Sequence, residues 1–380
     1  MAAPRIDVQI ALTSFAAGAN VRTELARRGQ RTMPPPRESL EGGETMTVHQ
    51  PIERYRTEIC RTLIGPPSAW LPLDIGPKER FVTTLDEGQL AAIDEVLART
   101  RHLAPQAVTR AEFDHPALAP VLEAAFDEIM NGRGFVVFSG PTPERYSEEE
   151  FERIYWGFGT HFGDAVVQSP RGDRIGHVRY EPPGPNYAQR AYTSKGELVA
   201  HCDAHEIIGL MCVRRARTGG ASSLVSSLAA HNALLTERPD LLDCLYDGYQ
   251  FTTREALRRG QELTPYTVPV FSYIDGVLSC YYNRAYIYGA EKFTGPVPPK
   301  LKEAMDFLND FFARDENLVT FMLEPGEMSF WHNFTVLHAR TFFEDDDDPQ
   351  FKRHLLRLWL TVPEGRRMIP VYHRDLVAGT

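Results

Sequence analysis

FWHNFTVLHARTFF (residues 330–343) and HLLRLWLTV (354–362) are short runs of apolar, aromatic and β-branched residues, joined by a polar turn. Such runs read as strands. The second half of the chain repeats the pattern in SSLVSS (222–227), VPVFSYI (268–274), LSCYYNRAYI (278–287) and VTFMLE (319–324), divided by turns such as Pro325-Gly326. Upstream the period changes. TLDEGQLAAIDEVLARTRHL (84–103) sets Leu90, Ile93, Val96 and Leu97 on one helical stripe, with Thr84 or Asp86 as its cap. SEEEFERIYWGFG (147–159) opens with Ser147 and Glu150 at capping-box spacing, and GFVVFSG (134–140) lies between the two helices as a buried strand. Many short strands with helices gathered outside them predict a β-rich α+β fold: a double-stranded β-helix, or cupin-like jelly roll, flanked by helices.

Composition narrows the function. The 380 residues carry 41 Lys and Arg against 51 Asp and Glu, a net charge of −10, and the cations are scattered. No basic stripe is offered to nucleic acid. No apolar run is long enough for a bilayer and no secretory signal is evident, so the expectation is a soluble, cytoplasmic protein acting on a small molecule, with no membrane partner. Self-association is left open. Cys60, Cys202, Cys212, Cys244 and Cys280 include no CxxC pair and read as reduced, mostly buried thiols. RRGQRTMPPPRESLEGGETM (27–46) is rich in Pro, Gly and charge, so residues 1–65 are expected to be a poorly ordered or loosely packed extension, and 66–380 a single domain.

HCDAHE (201–206) concentrates potential metal ligands. On an extended segment His201 and Asp203 point to one face, and His338 in the 330–343 run is the natural third ligand, with His332 as its competitor. Two imidazoles and one carboxylate on one face of an octahedral ion suit Fe(II) and leave three positions open. A 2-oxo acid fills two of these and O2 the third, and the far carboxylate of the acid then needs a cationic clamp. Arg353 and Arg357, four apart on the next strand pattern, share a face and offer one. The alternatives are a zinc hydrolase on a cupin-like barrel, a zinc site from His201 and His205 at helical spacing, and a binding protein that keeps the fold without turnover.

H-x-D, TGGASSLVSS (218–227), PGEMSFWHNFTVLHARTFFED (325–345) and RHLLRLWL (353–360), in this order, resemble the TauD/TfdA family of Fe(II)- and 2-oxoglutarate-dependent dioxygenases. The resemblance is to its clavaminate synthase-like and γ-butyrobetaine hydroxylase-like branches. It implies that His201, Asp203 and His338 bind iron, that Arg353 clamps the distal carboxylate of 2-oxoglutarate, and that Ser222 touches the same co-substrate. Arg357 falls where some relatives bind an acidic group of the substrate. With Asp203 in place, oxygen chemistry is implied rather than halogenation: hydroxylation of an unactivated C–H bond in a small carboxylate or amino-acid-like substrate, with release of succinate and CO2. Cys202 stands where Thr is frequent in the family, and Trp331-His332 where small polar residues are usual.

Four further residues are candidates for substrate contact. His205 lies beside the H-x-D pair, Arg190 and Tyr192 lie in the Pro- and Gly-opened segment YEPPGPNYAQRAYTSKGELVA (180–200), and Arg284 is the one charge in the aromatic stretch YYNRAYIYG (281–289). For each, an ordinary structural role is the simpler alternative.

Overall fold

The structure is a computed structural model that describes residues 52–168, 172–182, 193–252 and 262–372. Helix starts follow the side-chain chemistry. Helix α1 (Glu87–Thr100) begins where Asp86 accepts from the Gln89 amide and the Gln89 side chain returns to Asp86. After α2 (Ala119–Met130), helix α3 (Glu148–Phe162) begins with the same reciprocal box between Ser147 and Glu150.

The strands that matter to the site are β1 (Val82–Thr84), β2 (Phe135–Ser139), β3 (Asp164–Ala165), β4 (Ile175–Val178), β5 (Leu198–His201), β6 (Ile207–Arg214), β7 (Ser222–Ser226), β8 (Val319–Phe321), β9 (Met328–His332), β10 (Val336–Arg340) and β11 (His354–Thr361). They form a larger sheet in the order β1-β2-β9-β6-β11-β3, with β4 also paired to β11, and a smaller sheet in the order β8-β7-β10-β5. Apart from the parallel β1–β2 pair, the ladders are antiparallel. This is the predicted jelly roll.

Alternation along each strand decides what faces inward. On β11, Leu355 and Trp359 join Phe135, Val137, Ile208, Trp331, Leu224, Phe321 and Val336 in a core drawn from both sheets, so the sheets face each other across it. Leu356, Leu358 and Leu360 take the opposite face and pack with Phe158 and Phe162 of α3. Three more helices, α4 (Ser227–Glu237), α5 (Arg284–Thr294) and α6 (Pro299–Ala313), share a second apolar cluster with Val225 and Leu337 on the outer face of the smaller sheet. Each fully buried side chain of this kind contributes roughly 1.5–3 kcal/mol of transfer free energy, against the entropy of ordering the chain.

Two expectations need correction. LSCYYNRAYI is a strand only as far as Cys280 and then turns into α5, because Ile287 and Ala290 are the buried positions, at helical rather than alternating spacing. Residues 52–65, grouped by composition with the loose extension, are attached to the body. Glu53 exchanges backbone hydrogen bonds with Pro265 and Thr267, the Cys60 amide donates to the Tyr246 hydroxyl at 3.2 Å, and the Ile64 amide donates to Asn232 at 2.9 Å. The packed body therefore begins before residue 66, and residues 1–51 lie outside the described residues. All five cysteines are free, four of them buried. Among the described residues, no helix is long and apolar enough to cross a membrane.

Gly209 on β6 shows how tightly α3 is keyed to the larger sheet. The buried Tyr155 hydroxyl accepts the Leu358 amide at 3.0 Å, and a Cβ at Gly209 would stand 2.6 Å from that hydroxyl and 2.7 Å from the Phe330 ring. Gly209→Ala is expected to lower stability by about 1–3 kcal/mol in chemical denaturation. Unchanged stability would contradict the packing described here.

Candidate metal centre

The smaller sheet assembles the centre. His338 on β10 lies opposite His201 at the end of β5, and the two rings sit 4.3 Å apart between centroids. Asp203 follows two residues after His201, and one ligand atom from each of the three residues lies within 4.8 Å of the others. The separations from Asp203 are 3.7 Å to His201 Nε2 and 3.9 Å to His338 Nε2.

Protons and lone pairs are arranged for a cation. His201 Nδ1 lies 2.8 Å from the Val199 carbonyl, which can only accept, so Nδ1 carries the proton and Nε2 presents its lone pair to the centre. Asp203 Oδ2 accepts from the Trp359 indole at 2.9 Å and faces Arg357 Nη1 at 3.5 Å, which leaves Oδ1 toward His201. Burial alone pushes the Asp203 carboxyl up, but the Arg357 guanidinium, helped by the hydrogen bond from Trp359, overrides it and holds the group below its ordinary range. His338 is pushed down to about 3 by burial and by the neighbouring His201 and is therefore neutral at pH 7, as a ligand must be. These donors fit a divalent ion of the Fe(II) type.

Asn333, fully buried between β9 and β10, fixes the loop that carries Asp203. Its Oδ1 accepts the Asp203 amide at 3.0 Å, and its Nδ2 donates to the carbonyls of Asp203 and His205 at 2.7 and 2.8 Å. Asn333, Trp359 and Gln168, whose Oε1 accepts Arg357 Nε at 3.0 Å, carry no motif that marks them in the sequence. The only local hint was an Asn in the turn before His338.

The remaining expected residues divide clearly. Arg353 is buried just before β11, and it lines a small pocket together with Ser222, Gly219, Gly220 and Cys212. Gly220, at φ +78°, gives it room, since a Cβ there would stand 3.2 Å from Arg353 Nε. Arg357 lies at the triad with its guanidinium 4.3 Å from the Trp359 ring, and His205 packs tilted against the same indole at 5.3 Å between centroids. His332 is excluded as a ligand because its ring turns toward Glu206, 3.5 Å away, in a separate buried cluster. The helical zinc pairing of His201 with His205 is excluded as well, because His201 ends a strand and His205 sits in a bend. Arg284 heads α5, where its charge acts on the Tyr282 hydroxyl. Arg190 and Tyr192 lie outside the described residues.

Comparison with known proteins agrees with this geometry. Residues 99–359 match the family described as taurine catabolism dioxygenase TauD, TfdA family. The chain is 30% identical over 321 residues to FR-33289 synthase of Streptomyces rubellomurinus, covering 82% of this chain and 94% of that protein. It is 28% identical to a taurine hydroxylase-like protein of Stachybotrys chartarum, covering 76% of this chain and 77% of that one. Among solved structures, an asparagine oxygenase in complex with Fe(II), hydroxyasparagine and succinate superposes with a TM-score of 0.58 at 18% identity, covering 74% of this chain and 93% of that chain.

Asn333→Ala removes the clamp on the Asp203 loop and leaves the Asp203 amide buried without its acceptor. Fe(II) affinity, read anaerobically from quenching of tryptophan fluorescence, is expected to fall ten- to a hundredfold. An affinity within twofold of wild type would contradict this role.

Proposed function

Because the chain belongs to the TauD, TfdA family of dioxygenases, we propose that His201, Asp203 and His338 hold its Fe(II), that Arg353 and Ser222 receive the distal carboxylate of 2-oxoglutarate, and that Arg357 faces an acidic group of the substrate. The protein is an Fe(II)- and 2-oxoglutarate-dependent oxygenase. When bound, iron with 2-oxoglutarate and O2 supplies the oxidising power that hydroxylates an unactivated C–H bond, with release of succinate and CO2.

The observation that carries the assignment is the convergence of the three ligand atoms, far apart in the chain, within 4.8 Å of one another. The chain's own residues do the rest. His201, Asp203 and His338 would hold the ion, which would keep positions for co-substrate and O2. Trp331, 4.9 Å from the His338 ring, and Trp359 wall one side of the centre with apolar surface. Arg353, whose Nη1 has no hydrogen-bond partner, offers its free donor to an anion at the inner end of the barrel. A zinc hydrolase has no use for that buried cation beside Ser222, and the intact triad disfavours a binding protein without turnover.

The substrate in this reading is a small acidic compound. Relatives are named for taurine, a sulfonate, and for uridine-5'-phosphate, and one neighbouring structure holds a hydroxylated arginine. Each bears an anionic group that a guanidinium such as Arg357 recognises. A reducing, cytoplasmic setting accords with five free thiols. The test is a screen of sulfonates, phosphates and amino acids for stimulated succinate release. With the substrate so identified, Arg357→Gln is expected to raise KM by about thirtyfold or more. Stimulation by neutral compounds alone, or an unchanged KM, would contradict the reading.

A further inference from the structure

A second buried guanidinium stands near the first. Arg340 lies two residues beyond His338 on β10, on the face that carries Val336 and His338 into the barrel, and it is 6% exposed. Its Nη2 donates to the carbonyls of Ser194, at 2.9 Å, and Gly196. Its Nε and Nη1 have no hydrogen-bond partner. Among the described residues no carboxylate pairs with it.

The surroundings tie Arg340 to the co-substrate end of the barrel. In the β7–β10 ladder it sits directly opposite Ser222. Its guanidinium carbon lies 4.8 Å from the Phe343 ring centroid, and that of Arg353 lies 5.0 Å from the same ring. Asp345 offers only partial compensation: its Oδ1 takes the Arg353 backbone amide, and its Oδ2 has no partner. Arg357 has Asp203 and Arg353 has Asp345 nearby, while Arg340 has two carbonyls and the Phe343 ring and, among the described residues, no carboxylate.

Burying a cation with open donors is unfavourable unless an anion completes it. A carboxylate has about four lone-pair sites. Arg353 and Ser222 line the small pocket there, Arg353 with an open Nη1, and Arg340 brings two further open donors, Nε and Nη1, on the strand paired to Ser222. In a low-dielectric interior the second positive charge also acts without direct contact.

We propose that Arg340 is a further binding residue of the co-substrate site, a second guanidinium that with Arg353 selects a keto acid bearing a distal negative charge. The proposal rests on the co-substrate assignment made above. Arg340 also joins that selection to the Ser194–Gly196 turn. The same turn is held by the Phe343 amide, which donates to the Lys195 carbonyl at 3.2 Å.

The test titrates Fe(II)-loaded protein without air and follows the visible band of the chelate, using 2-oxoglutarate and 2-oxopentanoate. The second acid chelates the ion identically but lacks the distal charge. In Arg340→Gln, 2-oxoglutarate affinity is expected to fall about tenfold or more while 2-oxopentanoate affinity stays within twofold, and Arg340→Lys is expected to recover part of the loss. Equal weakening of both acids would show a merely structural role and overturn the proposal, as would unchanged 2-oxoglutarate binding. If wild type forms no chelate with either acid, the co-substrate assignment itself fails. If wild type binds and only Arg353→Gln discriminates between the acids, the assignment stands and the role of Arg340 falls.

Discussion

The geometry of the centre depends on how one carboxylate is shared. Asp203 Oδ2 is taken by the Trp359 indole and faced by Arg357, while Oδ1 turns toward His201 Nε2. Without that restraint the carboxylate would rotate freely, and the half-buried loop after β5 would have no fixed ligand to offer. Asn333 adds the backbone counterpart by closing three hydrogen bonds on the Asp203–His205 loop. A metal site is held by these outer contacts as much as by its ligands.

The jelly roll supplies what a loop alone cannot. On one edge of β10 strand pairing sets His338 opposite His201, and on its other edge the ladder with β7 sets Arg340, two residues further along, opposite Ser222. Strand β11 carries Arg357 and Trp359 on its inner face beside Leu355, while Leu356, Leu358 and Leu360 anchor that strand to α3. One strand thus joins the apolar core to the electrostatics of the centre. A one-residue slip would turn both Arg357 and Trp359 away from Asp203.

Much of this was legible in the sequence because it is local. His201 and Asp203 are two apart, Arg353 and Arg357 four apart, and both helix starts announce themselves through Asp86 and Ser147. What stayed hidden depends on distant partners. Asn333 meets Asp203 across 130 positions and Trp359 meets it across 156, and no local pattern encodes either contact. Arg340 reads as one more polar residue in HARTFF until the fold brings Ser194 and Gly196 to it. The segment after Cys280 misled for a related reason: aromatic residues suit strands and buried helix faces alike, and the packing of Ile287 and Ala290 decided for a helix.

The most direct test is the absorption spectrum of the protein with Fe(II) and 2-oxoglutarate in the absence of air. The account predicts a weak visible charge-transfer band in wild type that Asp203→Ala abolishes. A wild type without the band, or an Asp203→Ala variant that keeps it at full strength, would contradict the account.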